Sequence, residues 1–153
     1  FANSFQNIDR NQVGGKAVYG ICDELIRRGM ENLDYPELSR TLWAAAKLNL
    51  ANSTIFPTAL ELIQESDLAE ISEQSLVLLL WSFASVSQMS PSLMIKSEQE
   101  LLRRGLRRFR YQELNALVFA FSKSKYQEGE IWDLIDDEAT FRASSDFSNL
   151  PRA

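Results

Sequence analysis

Residues 38–48 read LSRTLWAAAKL, and this stretch decides the fold because the sequence returns to it twice. A shift of 38 positions aligns it with LVLLLWSFA at residues 76–84, and a second such shift aligns it with LNALVFAFS at residues 114–122. Apolar and aromatic residues coincide in all three copies without an insertion. Self-similarity at a fixed period of this length is typical of helical repeat proteins.

The same shift aligns apolar residues well outside the first stretch. The aligned columns are Leu38, Leu76 and Leu114; Leu42, Leu80 and Val118; Trp43, Trp81 and Phe119; Val18, Phe56, Met94 and Trp132; and Leu25, Ile63 and Leu101. A literal match joins residues 25–30, LIRRGM, to residues 101–106, LLRRGL. One recurring unit therefore accounts for most of the chain.

Each unit is predicted to contain two helices. The first runs from about Pro36 to Asn49, where apolar residues recur at helical spacing, with Asp34 as its N-cap and Ser72 in the same role one period later. The second is predicted over residues 55–66, with a counterpart at residues 91–104 that Ser90 caps. Gly29 and Gly105 suit helix ends, and no stretch alternates with a period of two, so the sequence predicts an all-α fold.

The predicted architecture is a single domain, an α-solenoid of about three and a half helical hairpins of 38 residues. It comprises a partial unit at 1–33, units at 34–71, 72–109 and 110–141, a short last helix at 130–137, and a polar tail at 142–153. A hairpin of this size cannot bury its apolar face alone, so neighbouring units must supply the core. Because the chain begins without Met, we expect it to be a piece of a longer protein.

Composition excludes most catalytic chemistry. The chain has no His and one cysteine, Cys22, so it lacks imidazole-based dyads and triads and the usual zinc ligands. We therefore expect no enzyme activity, no cofactor and no metal, and we expect Cys22 to be buried. The longest apolar run, Leu76–Trp81, is far below the roughly 20 residues of a membrane span, so no membrane insertion is expected.

Charge is strongly segregated along the chain. The net charge is −5, which alone disfavours nucleic acid as a partner. However, residues 96–125 carry eight basic and three acidic side chains, whereas residues 128–138 carry six acidic ones and no basic one. Surfaces of both signs are therefore expected, and the acidic one is interpreted as solvated or as a face for a basic protein neighbour.

Residues 38–48 resemble the first helix of octotricopeptide repeats, which have the same unit length and a Leu-Trp-Ala-x-Ala-Lys-Leu core. The repeats of FAST-kinase-domain and RAP-domain proteins, and the heptatricopeptide repeats of apicomplexan organelles, are similar. The likeness covers residues 34–141, although the second helices lack the Pro-rich and aromatic pattern often found in that family. It implies an α-solenoid that binds organellar RNA or belongs to an organellar ribosome, nuclear-encoded and imported into mitochondria or plastids.

Residues one period apart on the first helices are expected to line up on one surface. The polar columns are Lys47, Ser85 and Lys123; Ser39, Val77 and Asn115; and Arg40, Leu78 and Ala116. Lys47 and Lys123 are candidates for phosphate contact, with Arg40 and Asn115 beside them. The alternative is that these are ordinary solvated helix positions. The column of Trp43, Trp81 and Phe119 could stack on bases, but packing between units is the favoured interpretation.

Five arginines, Arg103, Arg104, Arg107, Arg108 and Arg110, lie within eight residues. If the helix continued past Gly105, pairs four apart would share a face and repel each other unless an anion lay beside them. That anion is either RNA phosphate, which guanidinium groups bind in a bidentate manner, or the chain's own acids. The candidate internal acids are Glu65, Glu70, Glu73 and those at residues 133–138.

These features and the resemblance together predict a non-catalytic, RNA-associated structural subunit; the resemblance implies a mitochondrial ribosome, in which the chain would contact rRNA and neighbouring proteins. The alternative is a protein–protein scaffold in another organellar complex, without RNA contact. A soluble location in mitochondria or plastids follows from the resemblance.

Overall fold

The computed structural model describes residues 14–29 and 34–148, and every regular element within these ranges is helical. The helices are α1 (Gly15–Arg28), α2 (Tyr35–Lys47), α3 (Ile55–Glu65), α4 (Glu73–Ser85), α5 (Pro91–Arg104), α6 (Tyr111–Lys123) and α7 (Ile131–Ser148). A short 3-10 turn, Leu68–Glu70, precedes α4. The prediction of an all-α fold is confirmed for this part of the chain. Residues 1–13 and 30–33 of the predicted leading unit, and residues 149–153 of the predicted tail, lie outside the described ranges.

The predicted N-caps of three helices are confirmed. In each case the cap side chain accepts a hydrogen bond from a backbone N–H three residues later: Asp34 from Glu37 at 2.7 Å, Ser72 from Ser75 at 3.2 Å, and Ser90 from Leu93 at 3.1 Å. These bonds satisfy amide donors that have no partner within the helix, so they fix where α2, α4 and α5 begin.

Helix ends are also built from local chemistry. Gly29 and Gly105 end α1 and α5 with φ of 79° and 71°, as the sequence predicts. The ends of α2, α4 and α6 share a different form, in which Asn49, Ser87 and Lys125 have φ of 55°, 59° and 59°. The next amide in each case donates back to a carbonyl five residues earlier, at 2.9–3.0 Å. This is the Schellman arrangement, and it turns the chain back towards the next helix.

The helices form two layers. In one, α4 packs between α2 and α6; in the other, α3 packs beside α1, and α5 lies between α3 and α7. The C-terminal ends of α2, α4 and α6 lie at the same edge. The Gln88 side chain donates to the Ala51 carbonyl at 2.6 Å, and the Lys123 ammonium donates to the Ser85 carbonyl at 3.0 Å.

A continuous apolar core fills the space between the layers. Leu38, Leu76 and Leu114 are all buried in it, as expected from the repeating pattern. Aromatic pairs connect the two layers, for example Phe56 on α3 and Phe83 on α4, whose rings meet edge to face at 5.9 Å. Cys22 is also buried in this core, as predicted.

The last helix is longer than the sequence predicts. It was expected over residues 130–137, but α7 continues to Ser148, so residues 142–148 are helical and not a polar tail. Tertiary contacts explain the difference. The Arg142 guanidinium donates to the carbonyl oxygens of Leu106 at 3.1 Å and Phe109 at 2.5 Å, and Tyr111 reaches Asp146 at 3.5 Å.

Candidate functional site

The arginine cluster lies where α5 meets α6, and it is not on one continuous helix. Helix α5 ends at Arg104, because Gly105 adopts a left-handed conformation, and residues 106–110 lead into α6. The predicted helix over residues 91–104 is confirmed, so the condition under which Arg103 and Arg107, or Arg104 and Arg108, would share a helix face is not met. The five guanidinium groups have different surroundings.

Arg104 is used inside the protein. Its side chain is only 11% exposed, and its guanidinium donates to the carbonyl oxygens of Ile71 and Leu68, both at 2.9 Å. It also pairs with Glu100 at 2.9 Å, and the predicted acid Glu73 lies 4.0 Å away. For this residue the structure favours internal pairing over phosphate contact.

Arg103 is paired but remains accessible. It makes two bonds to the Glu100 carboxylate, at 2.9 Å and 2.6 Å, while its side chain stays 61% exposed. The hydrogen bond from Arg103, together with that from Arg104, holds the pKa of Glu100 below its ordinary value despite burial. This arrangement fixes the orientation of an exposed guanidinium group without covering it.

Arg107 is held in a similar way by α7. Its Nε lies 3.2 Å from Glu138, its guanidinium carbon lies 3.5 Å above the centre of the Phe141 ring, and its side chain is 63% exposed. Burial alone would raise the pKa of Glu138, but hydrogen bonds from Arg142 and Arg107 lower it. The acidic segment at 133–138 thus supplies one internal partner, as one of the two interpretations expected.

Arg108 and Arg110 complete the cluster. Arg108 is exposed and makes no ion pair or hydrogen bond with the described part of the chain. Arg110 pairs with Glu113 at 3.0 Å and is 67% exposed, and its backbone N–H donates to the same carboxylate at 2.7 Å. Apart from Arg104, the arginines therefore present guanidinium surface to solvent. We call Arg103, Arg107, Arg108 and Arg110 the arginine patch.

An open cleft of about 580 Å³ borders this patch. Arg103, Arg104 and Arg108 line one part of it, and the other part is the start of α4, with Ser72 and Glu73. Glu70 also reaches the cleft, so its walls carry both signs of charge. The cleft alone therefore does not select an anion.

A second set of predicted residues lies on α2, α4 and α6. The Lys47 ammonium is 5.6 Å from the centre of the Trp43 ring and 4.9 Å from that of Trp81. Lys123 lies 5.7 Å from the Phe119 ring, and the Trp81 and Phe119 rings are 6.0 Å apart with an interplanar angle of 30°. We call these five residues the aromatic–lysine ridge.

The exposure of the aromatic column differs from the favoured expectation. Trp43 is 40% exposed and Phe119 is 38% exposed, and Trp81 is partly buried between them. Burial of these rings in the core was therefore wrong for Trp43 and Phe119, although Phe119 does pack against Trp81 on the neighbouring helix, as expected. The other two predicted residues, Arg40 on α2 and Asn115 on α6, are exposed, and the structure gives neither a partner among the described residues.

Two neighbours that hold the arginines, Glu100 and Glu113, were missed at the sequence level, whereas Glu138 belongs to the predicted acidic segment at 133–138. A local signal for Glu100 exists, because Arg103 and Arg104 follow it by three and four residues on one helix. The same signal occurs in α1, where Arg27 and then Arg28 bond to Glu24 and hold its pKa at about 2. The bonds of Arg104 and Arg142 to distant backbone oxygens, in contrast, cannot be predicted without the fold.

Other site classes find little support in the described residues. Across residues 14–29 and 34–148, no group of three or more acidic, His or Cys side chains is placed to hold a metal ion. None of the helices in these ranges has both the length and the apolar character needed to cross a membrane.

Comparison of the chain with protein-family models, with curated proteins and with solved structures finds no match in any of the three. The function is therefore inferred from the residues and their geometry.

Proposed function

We propose that the chain is a non-catalytic, RNA-associated subunit built as an α-solenoid of 38-residue hairpins of the octotricopeptide type. Support for the repeat comes from local structures that recur at this interval. Asn49, Ser87 and Lys125 each follow the end of a helix in the same left-handed backbone conformation. Arg104 and Arg142, also 38 residues apart, bind backbone carbonyls in the same manner. The resemblance at residues 38–48 names the repeat type and implies an organellar ribosome as the assembly.

The observation that carries the RNA proposal is the exposure of the arginine patch. Arg103, Arg107 and Arg110 are each held by one carboxylate yet are more than 60% exposed, and Arg108 has no partner within residues 14–29 and 34–148. Guanidinium groups with fixed orientation lose little freedom when they bind a phosphate. Contacts of this kind supply sequence-independent affinity for RNA and fix the orientation of the protein upon it.

Salt dependence of RNA binding tests this proposal. The probe is a stem–loop RNA, and the variant Arg107→Gln/Arg108→Gln removes two charges from the patch. The matched control is Arg27→Gln/Arg28→Gln, which removes two similarly exposed arginines from α1. We expect the first variant to bind more weakly and to flatten the slope of log affinity against log salt by about 1 per lost phosphate contact, with the control unchanged.

Equal behaviour of the two variants would reject the patch as an RNA site. A protein-only scaffold is the second candidate, and the exposed acids Asp133, Asp136 and Asp137 on α7 favour it because they suit a basic protein neighbour. In that case the chain would fail to retain the stem–loop RNA at any salt concentration and would still enter its assembly.

A further inference from the structure

The layer formed by α2, α4 and α6 is almost free of acidic side chains beyond the first turn of each helix. Residues 38–60, 74–97 and 114–127 contain no Asp or Glu, although the whole chain has 21. Within these three ranges the exposed charges are basic: Arg40, Lys47, Lys123 and Lys125. Although the net charge of the chain is −5, this surface is therefore positive, which suits a polyanionic partner.

Aromatic rings accompany this positive charge. Trp43 on α2 and Phe119 on α6 are partly exposed on the same surface, and Trp81 lies on α4, which packs between these two helices. Lys47 lies over both tryptophan rings and Lys123 lies over Phe119, so each of the three rings has an ammonium group within 6 Å of its centre. The ridge therefore combines two features, positive charge and partly exposed aromatic side chains, that few partners require together.

Single-stranded nucleic acid is the partner that needs both features. Its phosphates require cations, and its unpaired bases stack on aromatic side chains. A duplex offers phosphates, but its bases are already stacked on each other and cannot use the rings. An acidic peptide would use the lysines and leave the rings without a function.

We propose that the aromatic–lysine ridge binds single-stranded RNA, with unpaired bases stacked on Trp43 and Phe119 and phosphates held by Lys47 and Lys123. This proposal rests on the proposed function, since it assumes that the chain contacts RNA. The ridge and the arginine patch are different places. Arg110 precedes the start of α6 and Lys123 ends it, and a helix of this length separates its ends by about 18 Å.

The ridge gives affinity without reading sequence. Every base has an aromatic face, so stacking on Trp43 or Phe119 tolerates any base. The Lys47 ammonium lies over two rings in the free protein. Because its four-carbon side chain is flexible, the ammonium can turn to a neighbouring phosphate when a base stacks on the indole. We therefore expect the ridge to hold an unpaired loop or linker, while the arginine patch contacts phosphates.

Fluorescence of the 153-residue chain tests the proposal, with oligoadenylate as the single-stranded probe and a blunt RNA duplex as its control. We expect oligoadenylate to quench tryptophan emission and the duplex to leave it unchanged. Trp43→Leu should weaken oligoadenylate binding about tenfold, whereas Trp43→Phe, which keeps a ring, should bind nearly as well as the parent. Phe119→Leu should resemble Trp43→Leu.

Lys47→Gln provides a variant that leaves the core untouched, because Lys47 is exposed. We expect it to lower affinity for oligoadenylate and to flatten the salt dependence by about 0.7, the value for one contact with a single strand. Circular dichroism during thermal unfolding verifies that each variant remains folded.

The outcomes separate this inference from the proposed function. If Trp43→Leu and Phe119→Leu bind oligoadenylate as tightly as the parent, the ridge proposal is rejected. Loss of stem–loop binding in Arg107→Gln/Arg108→Gln would still support the arginine patch in that case. If poly-L-glutamate binds equally well and is weakened by the same ring variants, the partner is an acidic protein and the ridge proposal is rejected. If no RNA probe binds, both proposals are rejected.

Discussion

Arg104 on α5 donates to the main-chain oxygen of Ile71, at 2.9 Å, and thereby ties the end of one helix to the segment that leads into α4. Arg142 repeats this contact 38 residues later, where it donates to the oxygen of Phe109 at 2.5 Å. In both cases a glutamate four residues earlier, Glu100 or Glu138, holds the guanidinium in place. The same three-part clamp therefore connects two successive pairs of helices.

Loss of the Arg104 clamp should destabilise the protein. Arg104→Met keeps the length of the side chain but leaves two buried carbonyl oxygens without their donor and removes one of the two arginines that bond to Glu100, which should cost about 3 kcal/mol in the free energy of unfolding. Arg108→Met is the matched control, because Arg108 is exposed and unpaired within the described residues. Urea unfolding followed by circular dichroism measures both, and equal stability of the two variants would contradict the clamp.

Acid should weaken the same clamp. Because hydrogen bonds from Arg103 and Arg104 lower the pKa of Glu100 in the folded state, its contribution is present above the ordinary value of 4.5 and is lost as the pH falls below it. Glu100→Gln should therefore be less stable than the parent at neutral pH, and the difference should shrink at acidic pH. Melting temperatures measured across this range test the direction. A difference that grows on acidification would contradict it.

Replacing a residue that has a left-handed backbone conformation at a helix end by glycine should stabilise the protein. Ser87 has φ of 59°, where glycine is at no disadvantage, so Ser87→Gly should raise the free energy of unfolding by about 0.5–1 kcal/mol. Ser122→Gly is the control, because Ser122 is an exposed residue within α6, where glycine should lower stability by about 0.5–1 kcal/mol. Thermal melts of the two variants should shift in opposite directions, and a shared direction would be inconsistent with the assigned backbone.

Two glycine-to-alanine substitutions should change the free energy of unfolding in opposite directions. A Cβ at Gly129 would overlap a carboxylate oxygen of Glu98 and the Tyr126 ring, and these two side chains are bonded to each other at 2.8 Å. Gly129→Ala should therefore cost about 1–3 kcal/mol through crowding. Gly20→Ala should stabilise α1 by about 1 kcal/mol, because nothing lies within 4 Å of its Cβ position. Chemical denaturation of both variants measures the contrast.

Features set by neighbouring residues could be predicted from the sequence. Asp34 and Ser72 cap their helices as expected because a cap depends only on the next three residues. The burial of Leu38, Leu76 and Leu114 follows from helical periodicity in the same way. For these features, local chemistry and the fold agree.

Features that depend on distant parts of the chain could not be predicted from the sequence. Alignment of Trp43 with Phe119 indicates that the two positions share an environment, but it does not say which, and both turned out to be partly exposed. Arg104 could be paired with Glu100 from their spacing, whereas its bonds to backbone oxygens 33 and 36 residues away leave no mark in the sequence. The length of α7 likewise depends on Arg142 and its distant carbonyl partners.

The most direct test of RNA contact is ultraviolet cross-linking of the native assembly that contains this chain, followed by mass spectrometry of the linked peptides. We expect nucleotide adducts on peptides that carry Trp43 or Phe119 and on the segment at residues 105–110. Adducts on neighbouring proteins alone, with this chain linked only to polypeptide, would contradict a role in contacting RNA.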